Sequence, residues 1–159
     1  MAEAISGADP RLEALIEERR TLPGALLPIL HAVQEAFGYV DDRHVATIAS
    51  ALNLSRAEVH GVVTFYHDFR REPPGRHILQ LCRAESCQSM GCETLAEGLR
   101  RRLGIDFGET TADGRLTLQS VYCLGNCALS PAAVLDGKLH GRVDEHSVEA
   151  LLRAAEIAP

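Results

Sequence analysis

Positive charge is in short supply. The 159 residues carry 16 Lys plus Arg against 22 Asp plus Glu, a formal net charge of −6, which argues against a broad surface for nucleic acid or anionic membrane. Long apolar runs are missing as well. The densest, GALLPIL (24–30), falls far short of the ~20 residues that span a bilayer, so no membrane insertion is expected. The opening MAEAISGADPRLE has neither a basic nor an apolar region of the kind an export signal needs, which makes the chain's expected location cytoplasmic. No G-x-G-x-x-G, P-loop or nucleophile elbow occurs. No catalytic residue is therefore expected in this chain, and any dinucleotide chemistry would belong to another subunit. Internal repeats and low-complexity tracts are absent too.

What remains describes a soluble globular chain: 46% hydrophobic residues and a mean hydropathy of −0.03, enough for one ordinary domain or two small ones. Residues 1–10 read as a disordered leader. Residues 11–72 read as a helical bundle suited to docking a partner. Leu12, Leu15 and Ile16 mark a first short helix, broken at Pro23-Gly24. Leu26, Leu30, Val33 and Phe37 fall on one face of a second, closed by Gly38. Val45, Ile48, Ala49 and Leu52 make a third, stopping at Asn53. Ser55 and Glu58 form a capping box for a fourth, with Val59, Val62, Val63 and Tyr66 on its buried side.

The turn-rich REPPGRH (71–77) is the best boundary, and residues 73–159 read as a second domain. HILQLC (77–82) predicts a strand, GCETLAEGLRRRLG (91–104) a helix and LTLQSVYC (116–123) a second strand. AVLDGKLHGRV (133–143) predicts a hairpin, because Asp136-Gly137 suits a type I′ turn. A final helix from about Asp144 buries Val148, Leu151, Leu152 and Ala155. The fold class is α+β: a helical bundle followed by a small α/β layer domain.

The cysteines carry the chemistry. Five cysteines in a chain without an export signal point to metal or redox chemistry more than to disulfides. Cys82 and Cys87 are spaced C-x4-C, Cys123 and Cys127 C-x3-C, with 35 residues between the inner two. A thioredoxin-type dithiol needs C-x-x-C, which does not occur. No histidine falls within either cysteine loop, which removes Rieske ligation. Zinc survives on spacing. An iron–sulfur cluster fits best: ferredoxin-type sites use four thiolates, and two pairs on two loops suit a [2Fe–2S] rhomb with each pair gripping one iron. Gly91 and Gly125 let those loops turn tightly, so that N–H groups can face the sulfurs. Cys92 lies instead on the stripe Cys92, Leu95, Leu99 and Leu103 and reads as a core residue.

Several segments together resemble one family. LPILHAVQEAFGYV, AEVHGVVTFYHDFR, PPGRH before the first strand, and CLGNCALSPAAVLDG resemble the thioredoxin-like [2Fe–2S] ferredoxins, the E-type subunits of NADH dehydrogenase (complex I) and their relatives. The likeness runs from about residue 22 to residue 143. It implies a thioredoxin-like domain, a [2Fe–2S] cluster with ligands at Cys82, Cys87, Cys123 and Cys127, and a partner subunit carrying FMN and NAD. CRAESCQSMG (82–91) looks most like the gamma subunit of soluble NAD-dependent formate dehydrogenases, which would add a molybdenum-containing catalytic subunit. The equivalent subunit of respiratory complex I or of an NAD-reducing hydrogenase is the alternative.

A rival from another class is an iron–sulfur DNA-binding sensor, because VATIASALNLSRAEVHGVVTF (45–65) also resembles a helix-turn-helix. Its outward face would present Arg56, His60 and Thr64, with one firm cation among them, too little for phosphate contacts. Arg100, Arg101 and Arg102 complement the dipole at the end of their helix and are open to an acidic partner. Phe65, Tyr66 and Phe69 are expected to form a seam beside the linker. Pro131 precedes a strand, and the resemblance to thioredoxin-like folds implies a cis Ser130–Pro131 peptide.

Overall fold

The computed structural model describes residues 9–155; the leader expected over residues 1–10 lies outside them as far as residue 8. Asp9 and Pro10 already belong to a helix start. The chain divides between Pro73 and Pro74 into two compact units, each with its own core.

The first unit holds α1 (Pro10–Arg19), α2 (Leu26–Phe37), α3 (Asp42–Leu52) and α4 (Arg56–Phe65). Local chemistry sets the ends. The Asp9 carboxylate accepts the Arg11 N–H, with Pro10 at the first helical position, where its missing N–H costs nothing. Gly38 ends α2 at φ 84°, a left-handed cap that suits glycine. Asn53 ends α3 at φ 55°. The Ser55–Glu58 capping box forms as expected. The apolar stripes then meet: Ile29, Leu30, Val33, Ile48 and Val59 are all buried in one core. Phe69 joins that core, its ring 5.0 Å from that of His31. Tyr66, expected on the buried side of α4, is exposed instead. The helix stops at Phe65, and Tyr66 takes an extended backbone (φ −90°, ψ 107°) that leaves the helical phase. The segment after it is strapped to α2, since Gln34 donates to the Asp68 carbonyl (2.8 Å) and accepts the Arg70 N–H (2.6 Å).

The second unit is a mixed four-stranded sheet in the order β2-β1-β3-β4, with β1 at His77–Cys82, β2 at Leu116–Val121, β3 at Ala132–Leu135 and β4 at Lys138–Gly141. Its helices are α5 (Glu85–Ser89), α6 (Cys92–Leu103) and α7 (Glu145–Ala154). The class is α+β, as expected. β1 and β2 run parallel, with Leu79 opposite Leu118 and Cys82 opposite Val121. Parallel strands need a crossover, and α6 lies within it. The hairpin of β3 and β4 turns at Asp136 (φ 49°) and Gly137 (φ 81°), the signs a type I′ turn requires. The Asp136 carboxylate also accepts the Ile78 N–H (2.8 Å) and contacts His77 Nδ1 (2.7 Å), fastening the turn to β1. Leu79, Leu81, Leu95, Leu99, Leu116 and Leu152 form the core. Both α6 and α7 bury their stripes there. Arg100 and Arg102 at the end of α6 pair with Asp106 (2.9 Å) and Glu149 (3.1 Å).

Candidate metal centre

The parallel pairing of β1 with β2 places two loops at the same sheet edge, because both strands end there. The first loop starts directly from Cys82, the last residue of β1. The short helix α5 follows and carries Cys87, and Gly91 at φ 87° turns the chain into α6. The second loop begins earlier than expected. β2 ends at Val121, so Cys123 does not close the strand; it lies within the loop at φ 102°. A side-chain-bearing residue seldom holds that conformation, and such strain clusters at functional sites. Gly125 at φ 72° continues the turn, and Cys127 opens a 3₁₀ turn, Cys127–Leu129. The Ser130–Pro131 peptide that leads into β3 is cis.

The two pairs differ in exposure. Cys82 and Cys87 are buried, whereas Cys123 and Cys127 are exposed. Cys123 Sγ lies 4.0 Å from Cys127 Sγ, and the Gly125 N–H donates to Cys123 Sγ at 3.4 Å. Burial alone would raise the Cys82 pKa, but the neighbouring Ala84 amide and Cys87 thiol, and then the Cys123 and Leu124 amides, favour the thiolate more, and the net direction is down. Cys127 moves the other way, first through its hydrogen bond with Cys123 and then through the nearby charges of Cys123, Cys87 and Cys82. The thiols thus sense one another across the two loops.

Cys82 ends β1, and Cys87, Cys123 and Cys127 lie on the two loops that follow β1 and β2. Cys92 is completely buried at the start of α6 and packs against Cys82, Cys87 and Ala132. Burial first, and then the charge of Glu93, pushes its pKa up to about 11, which suits a core thiol. Among the described residues no three His, Cys, Asp or Glu side chains are grouped so as to hold a single metal ion. Two thiol pairs on adjoining loops, with the Gly125 amide turned toward one sulfur, suit a binuclear rhomb better than one zinc ion. Sequence reasoning passed over Ser86 and Ser130, whose hydroxyls lie 2.8 Å apart between the loops. The only available signal was a serine between the last cysteine and the cis proline.

Known proteins share this arrangement of the chain. The model of the thioredoxin-like [2Fe-2S] ferredoxin family matches residues 12–156. The chain is 41% identical over 130 residues to the E-type subunit of the NADH-quinone oxidoreductase from Pseudomonas aeruginosa, covering 82% of this chain and 78% of that protein. It is 30% identical over 146 residues to the HndA subunit of the NADP-reducing hydrogenase from Solidesulfovibrio fructosivorans, covering 90% of this chain and 85% of that one. Among solved structures, the NAD+-reducing [NiFe]-hydrogenase in its H2-reduced state superposes with a TM-score of 0.72 at 28% identity. That match covers 88% of this chain but 23% of the hydrogenase chain.

Proposed function

The chain belongs to the thioredoxin-like [2Fe–2S] ferredoxin family, and from that premise we propose that it is the [2Fe–2S] electron-transfer subunit of a multi-subunit NAD-linked oxidoreductase, with Cys82, Cys87, Cys123 and Cys127 as the cluster ligands. One observation carries the ligand assignment: Cys82 stands opposite Val121 where the two parallel strands end, and Ser130 Oγ of the second loop lies 3.7 Å from Cys87 Sγ of the first, so both cysteine pairs share one end of the sheet. The Gly125 N–H already donates to Cys123 Sγ, a contact that offsets negative charge on a ligand sulfur. When bound, the cluster supplies a one-electron redox step. The protein does the rest. The buried Cys82–Cys87 side keeps water away, and the exposed Cys123–Cys127 side lets a partner approach. Tyr122 and Leu129, chain neighbours of that exposed pair, are exposed apolar residues of the kind interfaces use.

The partner in this reading is an FMN- and NAD-binding subunit, and the helical unit serves its docking. Among parent complexes, the relatives support NADH-quinone oxidoreductase or a pyridine-nucleotide-reducing hydrogenase. Formate dehydrogenase, with its molybdenum-containing subunit, rests on CRAESCQSMG alone. Among the described residues no helix is long and apolar enough to cross a membrane.

The test is anaerobic purification of the native complex, followed by metal and sulfide analysis. This subunit should carry iron and labile sulfide in equal amounts, with an EPR signal on reduction. Ala at any of the four cysteines should remove or badly destabilise the cluster. Stoichiometric zinc without labile sulfide overturns the reading. Nickel in the complex selects a nickel–iron hydrogenase and molybdenum the formate dehydrogenase; with neither metal, hydrogen-dependent reduction of the nucleotide selects an iron-only hydrogenase and its absence the quinone oxidoreductase.

A further inference from the structure

Ser130 is among the few buried polar residues of the described chain, and its hydroxyl joins the two ligand loops. Its Oγ lies 3.7 Å from Cys87 Sγ, 2.8 Å from Ser86 Oγ and 2.8 Å from the Cys127 carbonyl oxygen. Ser86 Oγ reaches the same carbonyl at 3.3 Å. Ser86 and Cys87 come from the first loop, Cys127 and Ser130 from the second.

Each hydroxyl has one proton to donate, so the network can be counted. With Cys87 as a thiol, its S–H donates to Ser130 Oγ, Ser130 donates to the Cys127 carbonyl, and Ser86 donates to Ser130 Oγ. A cysteine bound to a metal is a thiolate and has no proton to give. Its buried sulfur becomes an acceptor, and Ser130 is within reach of it. Turning the Ser130 hydroxyl toward the sulfur releases the Cys127 carbonyl, which Ser86 can then serve. Two hydroxyl protons satisfy two acceptors.

We propose that Ser130 donates a hydrogen bond to the Cys87 thiolate in the cluster-bound protein, with Ser86 as the positioning residue that frees it to do so, and that the pair raises the cluster's reduction potential. The inference rests on Cys87 being a ligand. A hydrogen bond to a ligand sulfur favours the more negative, reduced state, so its removal lowers the potential.

The test is a redox titration of the anaerobically purified, cluster-loaded chain, followed by EPR, for wild type, Ser130→Ala, Ser130→Thr and Ser86→Ala. Ser130→Ala should retain iron and sulfide but hold about tenfold less reduced cluster at a fixed potential, a downward shift of about 59 mV for one electron. Ser86→Ala should shift the same way by less, because Ser130 is then drawn back to the carbonyl, and Ser130→Thr should restore the wild-type value. In wild type, the iron–thiolate stretching bands in resonance Raman should move on exchange into D2O, and in Ser130→Ala they should move less, the remaining shift coming from amides such as Gly125 N–H on Cys123 Sγ. A loaded Ser130→Ala protein with wild-type potential and an unchanged D2O response overturns the proposal. If Ser130→Ala fails to hold its cluster, a wild-type potential in Ser86→Ala together with a wild-type D2O response there overturns it. Cys87→Ala separates the two claims: an intact cluster there removes Cys87 as a ligand and the inference with it. A cluster lost there, beside a potential indifferent to both serines, overturns only the inference.

Discussion

The Arg83 guanidinium grips the Glu93 carboxylate at two points, Nε to Oε1 at 3.0 Å and Nη2 to Oε2 at 2.8 Å. Arg83 follows Cys82 and Glu93 follows Cys92, so the pair ties the end of β1 to the first turn of α6, around the helix that bears Cys87. The guanidinium also lies 4.9 Å from the centre of the Phe107 ring, a cation–π contact. Bidentate geometry makes this pair stronger than an ordinary surface ion pair.

Its contribution depends on pH. The hydrogen bond from Arg83 holds the Glu93 carboxyl below the usual range. A depressed folded-state pKa means stability that is fully present above the unfolded value of about 4.3 and lost as pH falls through the folded one. Glu93→Gln should therefore melt earlier than wild type at pH 7, with the gap closing as pH drops below about 4. Thermal melts at stepped pH check this; a gap that widens on acidification contradicts it.

Asp41 makes the same argument in the helical unit. Its carboxylate caps α3 by accepting the Arg43 N–H at 2.7 Å and pairs with the Arg43 side chain at 2.9 Å. The Arg43 hydrogen bonds lower its pKa to about 2. Asp41→Ala should cost about 1 kcal/mol at pH 7, and Asp41→Asn less, because the amide oxygen still caps. The difference should fade between about pH 4 and pH 2. His44 adds to acid sensitivity in the same direction: burial lowers its pKa, and its neutral Nδ1 accepts the Asp41 N–H at 3.1 Å. Denaturant titrations of the three proteins at pH 7 and pH 2.5 decide the matter.

Much of this architecture was legible in the sequence because its cause is local. The stripe Leu26, Leu30, Val33 and Phe37, the Ser55–Glu58 box and the Asp136-Gly137 turn each encode their own geometry. The strand order β2-β1-β3-β4 is a property of the whole core and could not be read from any one segment. The cysteine loops were legible in composition and illegible in shape. Helix α5 spans five residues, too few for periodicity to register, and Cys123 adopts a positive φ that no propensity favours. For the same reason strand β2 was expected to reach Cys123 and stops at Val121. The box at Asp41 was missed because histidine at the third position is not its usual partner.

Gly141 and Gly98 should respond to alanine in opposite ways. A Cβ at Gly141 would lie 2.7 Å from Leu129 Cβ, 2.8 Å from Asn126 Nδ2 and 3.0 Å from the Leu129 carbonyl oxygen, so it must displace the loop that carries Cys127. Gly141→Ala should cost about 1–3 kcal/mol and accelerate iron loss. A Cβ at Gly98, within α6, meets nothing within 4 Å, and Gly98→Ala should stabilise by about 0.5–1 kcal/mol. Iron-release kinetics beside denaturant melts separate an effect on the loop from one on the fold.

Cys92 should behave as core. Cys92→Ala should keep the cluster's optical and EPR spectra while lowering stability by about 1 kcal/mol, the loss of one small buried group. With a pKa near 11, the native thiol should resist alkylation at pH 8, because little thiolate is present. Peptide mapping after brief iodoacetamide treatment reads this directly, and rapid labelling at Cys92 would mean that the site opens.

The α3–α4 pair separates the electron-transfer reading from the DNA-binding sensor. The outward face of α4 offers Arg56, His60 and Thr64, all exposed. The Thr64 hydroxyl already donates within its own helix, to the His60 carbonyl at 2.9 Å and the Gly61 carbonyl at 3.2 Å, which leaves Arg56 as the firm cation. A recognition helix so poor in positive charge, on a chain of net charge −6, lacks the phosphate contacts that supply most DNA affinity. Where α4 ends, however, Phe65 is 74% exposed and Tyr66 43%, their rings edge-on with centroids 5.1 Å apart. Exposed aromatics of this kind anchor protein interfaces. Co-expressed with the flavoprotein subunit proposed as its partner, the chain should co-purify in a fixed ratio, and the double change Phe65→Ala, Tyr66→Ala should weaken that association by about tenfold or more with iron content unchanged. Gel shifts over the operon promoter should show no selective binding at physiological salt; nanomolar, sequence-selective binding lost in Arg56→Ala would favour the sensor, because only a groove-bound α4 makes that arginine indispensable.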